Sequence, residues 1–252
     1  MSPDAAMTWP LVSFGAFKLG RNEGAKYPQG YELPDEAAAG RLLNDLLDQG
    51  CRAIDTAPAY GLSEERIGRH VSHRRKEFLL TTKVGESFVE GVSTYDFSRE
   101  AVERSVHQSL KRLKTNVLDL VLIHSPGNDE EVLRQTPVVE TLQNFRERGD
   151  IRRIGLSGKT PSGAKLALDW ADALMVEFHQ QNVSHLAVMR EAQAAGVVVL
   201  VKKGLASGQL DPQSAVEFIA KEASVSSLVL GTLKLENFIA AKRWAENVRA
   251  VW

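Results

Sequence analysis

Cys51 is the chain's single cysteine, which excludes an internal disulfide and a cysteine-built zinc cluster and fits a reducing compartment. No apolar run approaches the ~20 residues that a membrane-spanning helix needs. Neither sign of charge prevails: 31 Lys and Arg against 32 Asp and Glu leave a net charge of −1. Without a long basic stripe, nucleic acid is not an expected partner. The local cluster His73-Arg74-Arg75-Lys76 reads as a solvated helix end ahead of a strand. The first ten residues, MSPDAAMTWP, lack the basic flank and apolar stretch of a secretory leader, so the cytoplasm is the expected location. What remains is an ordinary globular composition, 43% hydrophobic and 25% charged over 252 residues. No linker, composition shift or internal repeat divides it, and a single domain over residues 1–252 is expected.

Short apolar runs recur along the chain, at about 12–17, 52–57, 78–84, 117–124, 153–157, 173–178, 197–203 and 227–232. Most are continuous rather than alternating, as expected of strands covered on both faces in a parallel sheet. Helical periodicity fills the gaps. In 99–114, Val102, Val106, Leu110 and Leu113 share a face behind a capping Ser98. Thr136-Pro137, Thr160-Pro161 and Asp211-Pro212 each set a capping side chain before a proline at the first helical position. Gly50, Gly149 and Gly196 suit helix C-termini, and a final helix is expected from about Leu235 to Val248. Repeated strand–helix units over this length predict a (β/α)₈ TIM barrel of the α/β class. The rival, a doubly wound open sheet, lacks an early GxGxxG.

Ile154-Gly-Leu-Ser-Gly-Lys-Thr160 ends like a phosphate-binding P-loop, but Arg153 occupies the position where that loop needs its first glycine. Thr160 therefore reads as a helix cap. In a (β/α)₈ barrel the active site lies at the C-terminal ends of the strands. Those ends carry Asp55 with Tyr60 just beyond, Lys83, His124, Ser157, Glu177 or His179, Lys202-Lys203 and Gly231-Thr232. Singly, Asp55 and Lys83 suit a buried structural ion pair, Tyr60 a loop aromatic and His124 a hydrogen-bonded core histidine. Together their chemistry coheres. An ammonium beside a phenol lowers its pKa from ~10 towards neutrality. An aspartate keeps that ammonium charged, and a neutral histidine orients a carbonyl oxygen. Such a cluster protonates the alkoxide formed when a carbonyl receives a hydride, and the hydride must come from a nicotinamide cofactor.

Asp55-Thr-Ala-Pro-Ala-Tyr60-Gly61-Leu62-Ser63-Glu64, then Thr82-Lys83 and Leu122-Ile123-His124, resemble the Asp, Tyr, Lys, His tetrad of the aldo-keto reductase superfamily. Weaker likeness runs through 15–20, 154–157, 205–208 and 231–232, so the resemblance covers nearly the whole chain. It implies a barrel oxidoreductase interconverting a small-molecule aldehyde or ketone with an alcohol. It also implies NADPH, or alternatively NADH, bound in extended form without a Rossmann fold. Tyr60 would be the general acid/base, Lys83 and Asp55 would tune it, and His124 would orient the carbonyl. Ser157, Gly158, Met175, Lys202, Gly204, Leu205, Gly231, Thr232, Lys234 and Asn237 fall at the cofactor positions. Phe17, Phe88 and Ser125 are expected to line the substrate site.

Several positions depart from the family pattern: Gly158 stands for asparagine, Met175 for glutamine, Lys202 for the stacking tyrosine and Asn237 for an arginine. Three other readings follow. Lys83 or Lys202 suits a Schiff-base lyase on the same barrel. Asp55, His124, Glu177 and His179 suit a metal-dependent isomerase or hydrolase. Eroded nicotinamide contacts suit a non-catalytic NADP(H)-binding regulatory protein. Oligomeric state is not readable from the sequence.

Overall fold

The computed structural model describes residues 8–24 and 30–251; residues 1–7, part of the stretch read for a leader, lie outside the described residues. Eight strands close a parallel barrel: β1 (Val12–Gly15), β2 (Ala53–Asp55), β3 (Leu79–Val84), β6 (Leu120–His124), β7 (Ile154–Ser157), β8 (Ala173–Glu177), β9 (Val198–Lys202) and β10 (Ser227–Leu230). Two further strands, β4 (Glu86–Val89) and β5 (Val92–Tyr95), pair antiparallel as a hairpin inserted after β3. Around the barrel run α1 (Glu36–Asp48), α2 (Ser63–His70), α3 (Arg99–Leu113), α4 (Asp129–Gln135) and α5 (Val138–Arg148). They continue as α6 (Pro161–Ala167), α7 (Leu186–Ala194), α8 (Pro212–Lys221) and α9 (Leu235–Arg249). The expected single (β/α)₈ architecture is present, and its strands fall within a few residues of the apolar runs.

Local chemistry accounts for the boundaries. Asp35, Ser98, Thr160 and Asp211 each accept a backbone N–H at the start of α1, α3, α6 and α8. Gly50, Gly149 and Gly196 take left-handed φ just past α1, α5 and α7. Two expectations need correction. Pro137, not Thr136, is the N-cap residue of α5: Thr136 Oγ1 donates to the Val132 carbonyl in α4 and accepts the first N–H of α5, from Val138, only at 3.5 Å. Nor is His73-Lys76 a purely solvated helix end, because Arg74 pairs with Asp48 and Glu77 while Arg75 pairs with the buried Asp119.

The core has two layers, as barrel geometry demands. Inside, Leu120, Leu122, Ala173, Met175 and Leu200 pack together, with Trp9, Val198 and Val229 against them. Between strands and helices lies the larger layer, which includes Phe14, Leu43, Ile54, Val106, Phe145, Phe178 and Phe238. At Gly155 a Cβ would sit 2.0 Å from the Ala173 carbonyl oxygen, so β7 and β8 approach closely only because that side chain is absent. The first and last barrel strands close through the register Val12↔Leu228, Ser13↔Val229 and Phe14↔Leu230. A 2.6 Å hydrogen bond between the Ser13 and Ser227 hydroxyls crosses that seam.

Candidate active site

Parallel register carries the polar strand ends to one rim. Gly15 lies opposite Asp55, Asp55 opposite Thr81, His124 opposite Ser157 and Glu177 opposite Lys202. A cavity of about 490 Å³ opens there, lined by Asp55, Tyr60, His124, Ser125, Ser157, Met175 and Lys202 among others. A second cavity, of about 340 Å³, runs from it past Lys18, Gly204, Leu205, Thr232 and Asn237. Lys203, Ser207, Val229 and Gly231 line both, so the two form one groove from the barrel mouth to the start of α9.

At the floor of the mouth, Lys83 Nζ donates to Asp55 Oδ1 at 2.7 Å, to Oδ2 at 2.8 Å and to the Thr56 carbonyl at 2.8 Å. Burial raises the Asp55 carboxyl in spite of Lys83. At Lys83 burial acts against the charge, but Asp55 and Tyr60 outweigh it and lift the ammonium above its ordinary range. Bidentate contact at these distances is that of an ammonium with a carboxylate. The same Nζ lies 4.7 Å from the centre of the Tyr60 ring. Edge-to-face contacts hold that ring to Phe17 at 5.0 Å and to His124 at 6.2 Å between centroids.

Tyr60 differs from expectation in one respect. Burial pushes its phenol up to about 12, and the pull of Lys83 in the other direction is opposed by Asp55 and Glu86. The site therefore holds a neutral phenol, the form that donates a proton, rather than a phenolate poised near neutrality. Desolvation wins here because the ammonium is already neutralised by Asp55.

His124 is held neutral too, its pKa pushed down to about 4 by burial and by Lys83 and Lys202, against the pull of Glu86. Its Nδ1 lies 2.7 Å from Glu86 Oε2, in a bent approach outside hydrogen-bonding angles. Glu86 opens the hairpin strand β4 and is buried, with its carboxyl pulled down to about 2: the close contact and charge of His124, the Ser93 hydrogen bond and the charge of Arg21 overcome its burial. Sequence reasoning missed this residue.

Of the expected site residues, the structure brings Asp55, Tyr60, Lys83, His124, Ser157, Met175, Lys202, Phe17 and Ser125 to the mouth. Gly204, Leu205, Gly231, Thr232 and Asn237 line the second cavity. Phe88 does not line the mouth; it packs on Arg21, whose guanidinium carbon lies 3.3 Å from its ring centre. Lys234 is exposed at the start of α9, and its backbone N–H donates to Thr232 Oγ1 at 3.1 Å. Lys202 is half-buried, donates to Ser157 Oγ at 2.9 Å, and has no ion-pair partner among the described residues. Burial, with Lys203 and Lys83 nearby, pushes its amine down to about 7.

Gly158 and the P-loop-like stretch have a common explanation. Asp129 Oδ2 accepts from the Lys159 and Thr160 backbone N–H groups at 2.7 and 2.8 Å and from Thr160 Oγ1 at 3.0 Å. Its Oδ1 takes the Ser125 hydroxyl. The anion held by Gly158-Lys159-Thr160 is thus an internal carboxylate. A Cβ at Gly158 would meet Asp129 Oδ2 at 2.7 Å, which leaves no room for the asparagine of the family pattern.

The metal reading finds no geometric support among the described residues: no three His, Cys, Asp or Glu side chains cluster suitably. Asp55 is committed to Lys83, while Glu177 contacts Lys203 and His179. No helix among the described residues is long and apolar enough to cross a membrane.

Comparison with known proteins agrees with this geometry. The chain is 35% identical to a solved structure from Pseudomonas aeruginosa assigned to the aldo-keto reductases, with TM-score 0.89, covering 98% of this chain and 93% of that one. It is 30% identical to an aldo-keto reductase of Mycobacterium avium over 233 residues, 86% of this chain and 77% of the relative. D-arabinose 1-dehydrogenase of Saccharomyces cerevisiae is 34% identical over 163 residues, 62% of this chain, and the match spans only 44% of that longer protein. The model of the aldo/keto reductase family matches residues 12–248, from the first barrel strand into the last helix, and the chain belongs to that family.

Proposed function

We propose that this protein is a nicotinamide-dependent oxidoreductase that interconverts a small aldehyde or ketone and its alcohol, with Tyr60 as general acid/base. One observation carries the reading. The half-buried Tyr60 phenol stands at the barrel mouth beside a lysine locked by three hydrogen bonds, with a neutral histidine across its ring. Family membership and the aldose dehydrogenase among the relatives favour the same chemistry.

The residues along the groove fit a dinucleotide. Among the described residues Lys202 has no carboxylate ion-pair partner, so its amine, which Lys203 and Lys83 disfavour as an ammonium, is available to an anionic ligand. Ser157 lies at the mouth, while Gly231, Thr232 and Asn237 lie where α9 begins, a suitable end for phosphate. NADPH is the favoured form, with NADH the alternative; when bound it supplies or accepts the hydride. The chain's residues do the rest. The phenol gives its proton to the substrate oxygen in reduction, Lys83 stabilises the phenolate left behind, and Asp55 fixes Lys83 in place. Phe17 and Ser125 border the substrate.

Tyr60→Phe tests the role. Reduction of an activated aldehyde by NADPH is expected to fall by about 10²–10⁴-fold, the ordinary share of a general acid. Cofactor binding, followed by calorimetry, is expected to stay within about twofold, because one hydroxyl removed at the mouth leaves the rest of the groove intact. Full turnover in the variant sinks the assignment. Tight NADPH binding with no turnover of any carbonyl by the wild type favours the regulatory reading instead.

A second reading rests on Lys202. An amine lowered to about 7, with no carboxylate ion-pair partner among the described residues, is nucleophilic, as a Schiff-base lyase requires. Lys83, held charged by three acceptors, is unsuited to that role. Borohydride trapping of a carbonyl substrate on Lys202 decides for the lyase; no adduct decides against it.

A further inference from the structure

The mouth has two sides. The groove leaves it past β9 and β10, and β2 and β3 lie across the closed barrel from them. On that far side Arg21 lines the mouth, with a side chain only 10% exposed. Its guanidinium is fixed on several edges. The guanidinium carbon stacks 3.3 Å from the ring centre of Phe88, and Nε donates to the Glu23 carbonyl at 2.9 Å. Nη1 donates to the Ala59 carbonyl at 3.1 Å and faces Glu86 Oε1 at 3.7 Å. Nη2 makes no hydrogen bond among the described residues. It lies against Gly24, which also lines the mouth and where a Cβ would meet it at 2.9 Å, so bare backbone keeps this end of the fork open. A guanidinium this buried normally has its N–H groups paired, because an unmade bond carries a desolvation cost. Glu86 does not complete it: 3.7 Å is too long for a hydrogen bond, Oε1 already accepts the Ser93 hydroxyl at 2.7 Å, and Oε2 lies beside His124. Asp55, the other carboxylate lining the mouth among the described residues, is committed to Lys83.

We infer that Arg21 is a specificity-determining residue whose Nη2 receives the acid group of the substrate, an aldehyde or ketone that carries a carboxylate a few carbons from its carbonyl. The spacing follows from Phe17. Its ring centre lies 5.5 Å from the guanidinium carbon and 5.0 Å from the centre of the Tyr60 ring, so one aromatic ring separates the cation from the proton donor. A carboxylate set directly on the carbonyl carbon would sit at the Tyr60 hydroxyl and miss Arg21. A short chain laid along Phe17 reaches both. The neighbouring charge of Glu86 favours a singly charged carboxylate over a phosphate dianion, because each added negative charge meets that repulsion. In the reaction the carbonyl carbon accepts the hydride and its oxygen the Tyr60 proton, and the acid end is unchanged in the hydroxy acid that leaves. This substrate class rests on the oxidoreductase reading above; the open anion-binding edge of Arg21 does not.

Succinic semialdehyde, its methyl ester and butanal share one carbon chain and differ at the far end. With the wild type, kcat/KM for the acid is expected to exceed that of each neutral aldehyde by about 10–100-fold, the range of a hydrogen bond between charged groups in a shielded site. In Arg21→Met, which keeps the stem on Phe88 and removes the donors, that preference is expected to vanish. Arg21→Lys, which keeps the charge without the fork, is expected to retain part of it. The ratio between substrates is what is read, so a general disturbance around Ala59 or Glu86 lowers all three rates alike and does not mimic the result. A wild type that treats the three aldehydes alike overturns the inference with no variant needed. So does a preference that survives Arg21→Met, or one lost in Lys159→Met or Lys202→Met instead. Turnover of the neutral aldehydes without preference for the acid leaves the oxidoreductase reading standing. Butanoate keeps the acid and lacks the carbonyl. Its saturation-transfer NMR signal with the wild type, lost in Arg21→Met, supports the acid site even in a protein that turns over no carbonyl, and that outcome overturns the oxidoreductase reading instead.

Discussion

Replacing Lys83 by methionine gives the most quantitative test of how this site is held. Three donors vanish at once, and the Asp55 carboxylate, 5% exposed, loses both of its short contacts. Among the described residues, Lys202 is the other cation acting on it. Breaking one side of a buried ion pair costs about 3–5 kcal/mol, because the remaining charge is stranded in a poorly polarisable surrounding. The carboxyl then escapes its cost by keeping its proton. Its folded-state pKa, already raised by burial, rises further above the unfolded value of about 3.9. A group raised on folding gives full stability below its unfolded pKa and loses it as pH climbs through the folded one. Lys83→Met is therefore expected to be closest to wild type near about pH 4 and to lose up to about 1.4 kcal/mol per unit above that. Lys83→Met combined with Asp55→Asn removes the stranded charge and is expected to recover part of the neutral-pH loss. Urea unfolding of the three proteins across pH measures all of this. A neutral-pH loss below about 1 kcal/mol in the single variant, or the same loss at every pH, refutes the reasoning.

Because Tyr60 is held protonated up to about 12, reduction should show no ionisation of this phenol between about pH 6 and 9, while alcohol oxidation should gain up to tenfold per unit as the phenolate becomes accessible. Initial rates in both directions with one substrate pair check this. Asp129→Ala strips the acceptor from Lys159 N, Thr160 N and Thr160 Oγ1 and should lower unfolding free energy by about 1.5–3 kcal/mol in urea titrations. Gly158→Asn, which restores the family's usual residue, should destabilise by about 1–3 kcal/mol through its clash with Asp129, and calorimetry should show no gain in cofactor affinity.

Much of the architecture was legible because it rests on short-range rules. Continuous apolar runs marked the barrel strands, and Ser98, Thr160 and Asp211 announced their helices through side chains that cap in the usual way. The tetrad was readable from the polar residues that close those strands. The hairpin was not. Its turn, Glu90-Gly91, takes left-handed φ of 50° and 80°, as a tight hairpin turn needs, but glutamate is an unusual first residue there and gave no signal. Glu86 was hidden for a different reason: its meaning depends on His124 at the end of the neighbouring barrel strand and on Ser93 across the hairpin, neither of which has a sequence period. The acidity of Tyr60 was misjudged because spacing reveals a neighbouring ammonium but not the burial that outweighs it.

The seam between β1 and β10 also governs how the molecule is made. While the chain emerges from the ribosome, β1 has β2 on one side and bare backbone on the other until Ser227–Leu230 arrives to claim it. Every nascent intermediate is an open sheet with two adhesive borders, the species most prone to join a neighbour's borders instead of its own. Release of a truncated product lacking that last strand should give aggregates rather than a smaller enzyme.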